Sequence, residues 1–165
     1  MSGRLLRTRT YPLTVNVTDL KPCKDCGTTD PNLHYRSGKM PRCKDCQNYA
    51  NLVAKTTGGG VTFTREEFVQ WKRAQARTCH YCGLAEVDLV HLGVVNVRTK
   101  RVMETIGVDR VDNLRNYTLD NIVLCCGPCN AIKSSILSSD DMLRLGPHIR
   151  EIWVGRLNDE THTSL

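Results

Sequence analysis

Hydrophobic and polar positions change period several times along the chain, and no period lasts long. Leu13 to Val17 alternates over five residues, the pattern of a short strand inside an otherwise aperiodic leader. A helical period follows near Gln47 to Lys55, and Gly58, Gly59 and Gly60 break it as a joint between modules. Thr64-Arg-Glu-Glu67 has the form of a capping box, in which a hydroxyl and a carboxylate satisfy the first orphan amides of a helix. Phe68 and Trp71 then share one face, and the spacing predicts a helix to about Arg77. Residues 93 to 99 and 105 to 111 read as short strands, and Ile122 to Cys125 as an apolar one. A helix is expected from near Cys129. A last one is expected over 140 to 156, capped by Ser138 or Ser139 and interrupted or bent near Gly146-Pro147. Short strands and helices in this order predict an α+β fold of small modules.

Composition says what such modules need. The chain has 165 residues, of which only 5% are aromatic, so the cores are thin and call for staples. Nine cysteines are present, and eight fall in four C-x-x-C pairs. Arg4, Arg7 and Arg9 interrupt the early apolar residues, so no secretory segment is expected. No apolar run is long enough to span a membrane. The expected setting is therefore cytoplasmic and reducing, where metal outranks disulfides.

CKDC occurs twice, and Cys23, Cys26, Cys43 and Cys46 match the spacing of a four-sulfur zinc site. Cys79 and Cys82 find their partners in Cys126 and Cys129 across a long loop. Two structural zinc ions are expected. The βαβ context that a redox C-x-x-C wants is missing. Cys125 is left over as a buried thiol on the face opposite Cys126. His80 and Tyr81, inside the second knuckle, read as knuckle packing or a DNA contact.

Charge changes the picture again. The net +6 lies wholly in residues 1 to 55, with ten Lys and Arg against four Asp and Glu; the remainder is neutral. A basic first third suggests a polyanion partner, most simply double-stranded DNA. Arg36, Lys39, Arg42 and Lys44 crowd the first knuckle and are the expected DNA-binding residues. The expected modules are a basic arm (1–20), a DNA-contacting zinc knuckle (21–60) and a second domain (61–165).

The long loop carries the chemistry. Between the halves of the second zinc site lie Ile106-Gly-Val-Asp-Arg-Val-Asp-Asn113, Tyr117-Thr-Leu-Asp-Asn121 and the Cys126 knuckle with Asn130 and Lys133. This reads as strand, turn, strand, knuckle, helix. Asp109 and Asn130 could face one cation across that corner. So few hard oxygen ligands suit Mg²⁺ or Mn²⁺ bound partly by substrate phosphate.

From Cys79 to Lys133 the chain resembles an HNH (ββα-metal, His-Me finger) endonuclease stapled by a four-cysteine zinc site. The order FTREEF, CHYCG, GVDR, NYTLDN, CNAIKS and W-x-GR extends the resemblance to about residues 21–156, toward small two-zinc restriction enzymes of that class. The resemblance implies a sequence-specific double-strand endonuclease. Asp109 and Asn130 would be its catalytic metal ligands and Asn121 the brace of its hairpin. Arg110 replaces the usual general-base histidine, and Arg cannot act as a base near neutral pH. Tyr117 would then start cleavage as nucleophile or base. His91 is a weaker candidate for a second imidazole. A chain this short reads a long site best as a homodimer on a palindrome. Other readings of the same residues are a non-catalytic zinc DNA-binding regulator and a phage or homing-type nicking enzyme.

Overall fold

The structure, a computed structural model, describes residues 20–56, 60–96 and 99–162. The basic arm with the expected strand at Leu13 to Val17, and Gly58 and Gly59 of the expected joint, lie outside these. Two compact units divide between Cys43 and Lys44.

The first unit, over its described residues, is a knuckle and a short turn. Cys23 and Cys26 lead into Gly27, whose φ of +69° closes the knuckle through Gly27 N–H to Cys23 O at 2.8 Å. Glycine takes this left-handed conformation without the Cβ penalty. A 3-10 turn, Pro31–Leu33, starts at Asp30, whose Oδ1 accepts from the Asn32 amide at 2.9 Å. His34 is buried, and its Nε2 donates to the Thr28 carbonyl at 3.0 Å.

Among its described residues, the second unit contains five helices and one two-stranded sheet. The helices are α1 (Lys44–Lys55), α2 (Arg65–Arg73), α3 (Glu86–His91), α4 (Gly127–Lys133) and α5 (Ser139–His162). β1 (Gly107–Arg110) pairs antiparallel with β2 (Ile122–Cys125), with Asp109 opposite Val123 and Arg110 opposite Ile122. The order β1, β2, α4 is the expected strand–strand–helix corner, and the α+β class holds. The capping box at Thr64 is present with both reciprocal bonds, Glu67 Oε2 to the Thr64 amide being 2.7 Å.

Three expected elements differ. The strand at 93–99 is reduced, among the described residues, to an isolated bridge between Val95 and Val102. Just before it lies α3, whose Val87 and Val90 mimic a strand pattern. The Asp88 carboxylate accepting from the Ala85 amide and the inward Glu86 and Leu89 make it helical. α2 stops at Arg73, short of Arg77, whose guanidinium is held by Asp45 and Glu86. α5 runs without a break through Gly146 and Pro147. Gly146 is there because the helix presses on the second knuckle: a Cβ would collide with the Tyr81 carbonyl.

The core of this unit is assembled around the cysteines. Cys79, Cys82, Cys125, Cys126 and Cys129 are buried with Tyr81, Leu89, Ile106, Leu124 and Met142, and Trp71 and Trp153 pack against them. A second cluster joins α1 to α2 through Tyr49, Phe63 and Phe68, the last two stacked at 5.7 Å between centroids.

Beneath them runs a buried ion network. Lys72 Nζ donates to Ile106 O at 2.7 Å and lies 3.4 Å from Asp45 Oδ1. Arg77 bonds Asp45 at 2.9 Å and Glu86 at 3.1 Å, and Glu86 accepts from the Ile106 amide at 2.9 Å. The network thus ties α1, α2 and α3 to the entry of β1.

Burial pushes the Lys72 ammonium down to about 8, against the pull of Asp45 and Glu86. An unfolded lysine stays charged to about pH 10.4. Between those values the unfolded chain holds the extra proton, so stability rises with pH; below pH 8 both states are protonated and the gain is absent. Relative to Lys72→Met, the wild-type unfolding free energy is expected to grow by up to about 3 kcal/mol from pH 8 to 10.5. Urea denaturation of both proteins checks this, and a pH-independent difference would contradict it.

Candidate metal centres and active site

Both cysteine sets converge. The Sγ atoms of Cys23, Cys26, Cys43 and Cys46, and those of Cys79, Cys82, Cys126 and Cys129, each lie within 4.8 Å of one another. Cys26 and Cys43 are 3.8 Å apart between sulfurs, and so are Cys82 and Cys126. A tetrahedron of Zn–S bonds near 2.3 Å has edges of about 3.8 Å, so the donor sets fit zinc.

Sequence explains the shape. Each set begins with a C-x-x-C-G knuckle, the second closed by Gly83 at φ +67° as the first is by Gly27. Each ends at a helix start: Cys46 lies in the first turn of α1, and Cys129 in that of α4. Helix N-termini favour thiolate, as do amide donors. Burial opposes ionisation of Cys23, but amides of Cys43, Asp25 and Cys26 hold its thiol down at about 6. In the second set, sulfur donors led by Cys125 hold Cys79 far below the usual thiol range. Cys125, buried beside it, is pushed up by that contact and by burial.

Asp109 stands next to this second set. It is buried near the end of β1, and its Oδ2 accepts from Tyr81 Oη at 2.7 Å and lies 3.0 Å from Lys133 Nζ. Oδ1 has no hydrogen-bond partner among the described residues. Asn130, exposed on α4, donates Nδ2 to the Val108 carbonyl at 3.4 Å, which brings its amide alongside the residue preceding Asp109. Burial first, and then the Asp109 carboxylate that accepts its proton, push the Tyr81 hydroxyl up, although Ser139 opposes this.

Asn121 is buried and spans the loop between the strands. Its Oδ1 accepts from the Asp112 amide at 2.9 Å, and its Nδ2 donates to Asp112 O at 3.1 Å and Asn116 O at 3.0 Å. Arg110 donates Nη1 to Arg115 O at 3.0 Å, and its guanidinium stands 4.9 Å from the centre of the Tyr117 ring. Tyr117 is fixed by its backbone between Gly60 O, at 2.6 Å, and the Thr62 amide, at 3.1 Å. Successive residues of a strand point to opposite faces, so Arg110 with Tyr117 projects away from Asp109.

The remaining candidates are placed more loosely. Lys39 is exposed, Arg36 is half-buried and Arg42 pairs with Asp25. Lys44 turns inward, 3.9 Å from Glu86 Oε1, and burial lowers its ammonium. His91 is exposed at the end of α3, and His80 is exposed with its ring edge-on to Tyr81.

The chain is similar to the solved structure of the rare-cutting HNH restriction endonuclease PacI, for which a mechanism of DNA perturbation is described. Identity is 35%, the TM-score is 0.74, and the match covers 82% of this chain and 97% of the other. The chain belongs to the HNH endonuclease family. No protein-family model and no curated protein matches it. Among the described residues no helix is long and apolar enough to cross a membrane.

Two residues beside the carboxylate of this HNH endonuclease are not assigned to the site by sequence reasoning. Tyr81 reads as knuckle packing or a DNA contact, yet its hydroxyl reaches Asp109. Lys133 carries no expected role, yet it is fully buried with Nζ 2.7 Å from both Arg110 O and Asn113 Oδ1. The available signal for Lys133 is its spacing from Asn130, which sets both on adjacent turns of α4.

Proposed function

We propose that this protein is a type II restriction-class endonuclease that cuts both strands of DNA at a specific sequence with a divalent metal. The observation that carries the reading is the buried Asp109 carboxylate, anchored at Oδ2 and open at Oδ1, with Asn130 bonded to the carbonyl of the residue before it, in a chain of HNH descent. Asp109 and Asn130 would hold one Mg²⁺ or Mn²⁺. When bound, such an ion supplies Lewis-acid stabilisation of charge on the phosphate and the leaving oxygen. Arg110, projecting from the opposite face of β1, would add positive charge for the DNA backbone beside the site, and Asn121 would keep the hairpin in one geometry.

A tyrosine takes the place of the family's histidine. Of the two candidates, Tyr81 is favoured by its 2.7 Å bond to Asp109, which aims its hydroxyl at the proposed metal ligand. Tyr117, named by the sequence resemblance, is the second reading and is favoured by the Arg110 cation over its ring. Either would act as its phenolate, deprotonating water or attacking phosphorus with departure of the leaving oxygen, and for Tyr81 a bound divalent cation would have to offset the upward push of burial and Asp109.

The zinc ions would be structural. Residues 21–60, with Arg36, Lys39 and Arg42, would contact DNA behind the basic arm at 1–20, and residues 61–165 would cut; Lys44, turned inward beside Glu86, leaves the expected DNA-contacting set. A homodimer on a palindromic site, in a reducing compartment, completes the proposal.

The test is incubation of purified protein with phage and plasmid DNA plus Mg²⁺ or Mn²⁺, followed by run-off sequencing of the products. Discrete double-strand breaks at one sequence are expected. No cutting across salt and pH refutes the reading, and single-strand nicks favour a nicking enzyme. Tyr81→Phe is expected to slow cleavage by about a hundredfold or more with zinc content kept, the scale of losing a proton-transfer group. A larger loss in Tyr117→Phe transfers the role to Tyr117.

A further inference from the structure

The two cysteine sets begin with the same C-x-x-C-G knuckle but stand in different surroundings. In the second set all four cysteines are buried, each at 2% exposure or less. α5 covers that knuckle. Arg150 Nη1 donates to Gly83 O at 3.0 Å and fills the space where a Cβ on Gly83 would stand, and Gly146 presses on the Tyr81 carbonyl. The first knuckle is bare by comparison. Among the described residues nothing lies within 4 Å of a Cβ built on Gly27, and Cys26, the residue before it, is exposed. Cys23, Cys43 and Cys46 of the same set are buried. The Cys23 sulfur accepts from the Cys43 amide at 3.2 Å, whereas Cys26 Sγ stands 3.8 Å from Cys43 Sγ. One cysteine of a four-sulfur set is thus open to solvent, with a buried one in reach behind it.

We propose that Cys26 is an oxidation site for small hydroperoxides, and that its oxidation closes a disulfide to Cys43 and empties the first zinc site. A cysteine that ligates zinc does so as thiolate, which is also its nucleophilic form. The Cys26 sulfur takes the terminal oxygen of the hydroperoxide. An S–O bond forms, the O–O bond breaks, and the departing alkoxide or hydroxide takes a proton from water, leaving a sulfenic acid. Cys43 then attacks the Cys26 sulfur. The S–S bond forms, the S–O bond breaks, and hydroxide leaves and is protonated. In all, two electrons pass from two thiolates to one peroxide. Cys23 and Cys46 alone then remain as thiolate donors, too few for a closed structural site. Exposure as well as thiolate character selects the sulfur that reacts, so the buried second set and Cys125 are spared. This inference rests on the reading of the first set as a zinc site.

The test treats the full-chain, zinc-loaded protein, freed of reductant, with excess hydrogen peroxide. A chromogenic chelator reads released zinc, and mass spectrometry of the digest maps the cysteines. One ion per chain is expected to leave, with a Cys26–Cys43 link as the first disulfide and the second set intact. A thiol reductant and added zinc are expected to restore the lost ion. Cys26→His keeps a zinc ligand at the open position but no sulfur. It is expected to release its zinc about tenfold more slowly or less, since the exposed thiolate is gone. The site is overturned by a wild-type protein that keeps both ions or loses both at one rate. A first disulfide between other cysteines overturns it too, as does a two-zinc Cys26→His protein that releases at the wild-type rate. The digest of wild-type protein tests the site independently of whether the variant takes up zinc. Failure of the zinc reading shows separately, before any peroxide, as untreated wild-type protein that holds fewer than two ions per chain.

Discussion

Cys129→Ser is expected to remove the second zinc, unfold most of the second unit and abolish cutting. The reason lies in where that cysteine set sits. Its four sulfurs are at the centre of the core that contains Tyr81, Leu124 and Met142, and they join the knuckle at Cys79 to the start of α4. A structural zinc contributes on the order of 10 kcal/mol or more, whereas a domain of this size has about 5–15 kcal/mol in total. Serine keeps the volume but offers a poorer ligand, and a three-sulfur site left in an apolar core holds uncompensated thiolates. Zinc counting by mass spectrometry should fall from two ions per chain to one, with loss of the helical circular dichroism and of cleavage. A Cys129→Ser protein that keeps two zincs, or melts at the wild-type temperature, would remove the second site from the account of stability. Cys125→Ala serves as the control: as a bystander thiol, it should keep both ions.

Those eight ligands are legible in the sequence because their signal is local. C-x-x-C followed by Gly fixes a knuckle within five residues, and Thr64 with Glu67 fixes a helix start within four. β2 is legible for the same reason, as a short apolar run after a turn, and β1 falls within the strand expected over 105–111. What escapes is whatever depends on a distant partner. Val87 and Val90 favour a strand by propensity, and the inward Leu89 and the Asp88 cap decide for a helix. Gly146 next to Pro147 has the form of a break, but the glycine answers to the Tyr81 carbonyl, far away in sequence. Lys44 counts as a surface cation until Glu86 is seen beside it.

The candidate site divides along the same line. Asp109, Asn121 and Asn130 fall on elements whose period and caps announce them, so their positions follow from local structure. Tyr81 is invisible as a partner of Asp109 because the two meet only when the knuckle folds over β1. Lys133 has the form of an ordinary basic residue in the last turn of a helix, where it would favour the C-terminal dipole. Burial ties it to the end of β1 and the loop that follows, and only tertiary packing reveals that.

Lys133→Met is expected to lower stability by about 3–5 kcal/mol, the cost of breaking one partner of a buried ion pair, and to slow cleavage by about a hundredfold. The variant loses three contacts at once: Arg110 O and Asn113 Oδ1, both at 2.7 Å, and Asp109 Oδ2, at 3.0 Å. Methionine fills the space, leaves Arg110 O and Asn113 Oδ1 without this donor and leaves the Asp109 carboxylate without its counter-charge. The effect on metal has the opposite sign. An ammonium and a divalent cation on one carboxylate repel each other, so the wild-type protein would bind the proposed ion against Lys133. With the ammonium gone, a bound ion would meet a carboxylate held only by the Tyr81 hydroxyl at Oδ2, and its binding would supply more of the folded state's stability. The rise in melting temperature on adding Mn²⁺ should therefore be larger in Lys133→Met than in the wild type, although the variant cuts more slowly. Scanning fluorimetry with and without Mn²⁺ separates two roles. A lysine that merely fills space gives equal shifts in both proteins, while one that shares Asp109 with the metal gives the larger shift in the variant.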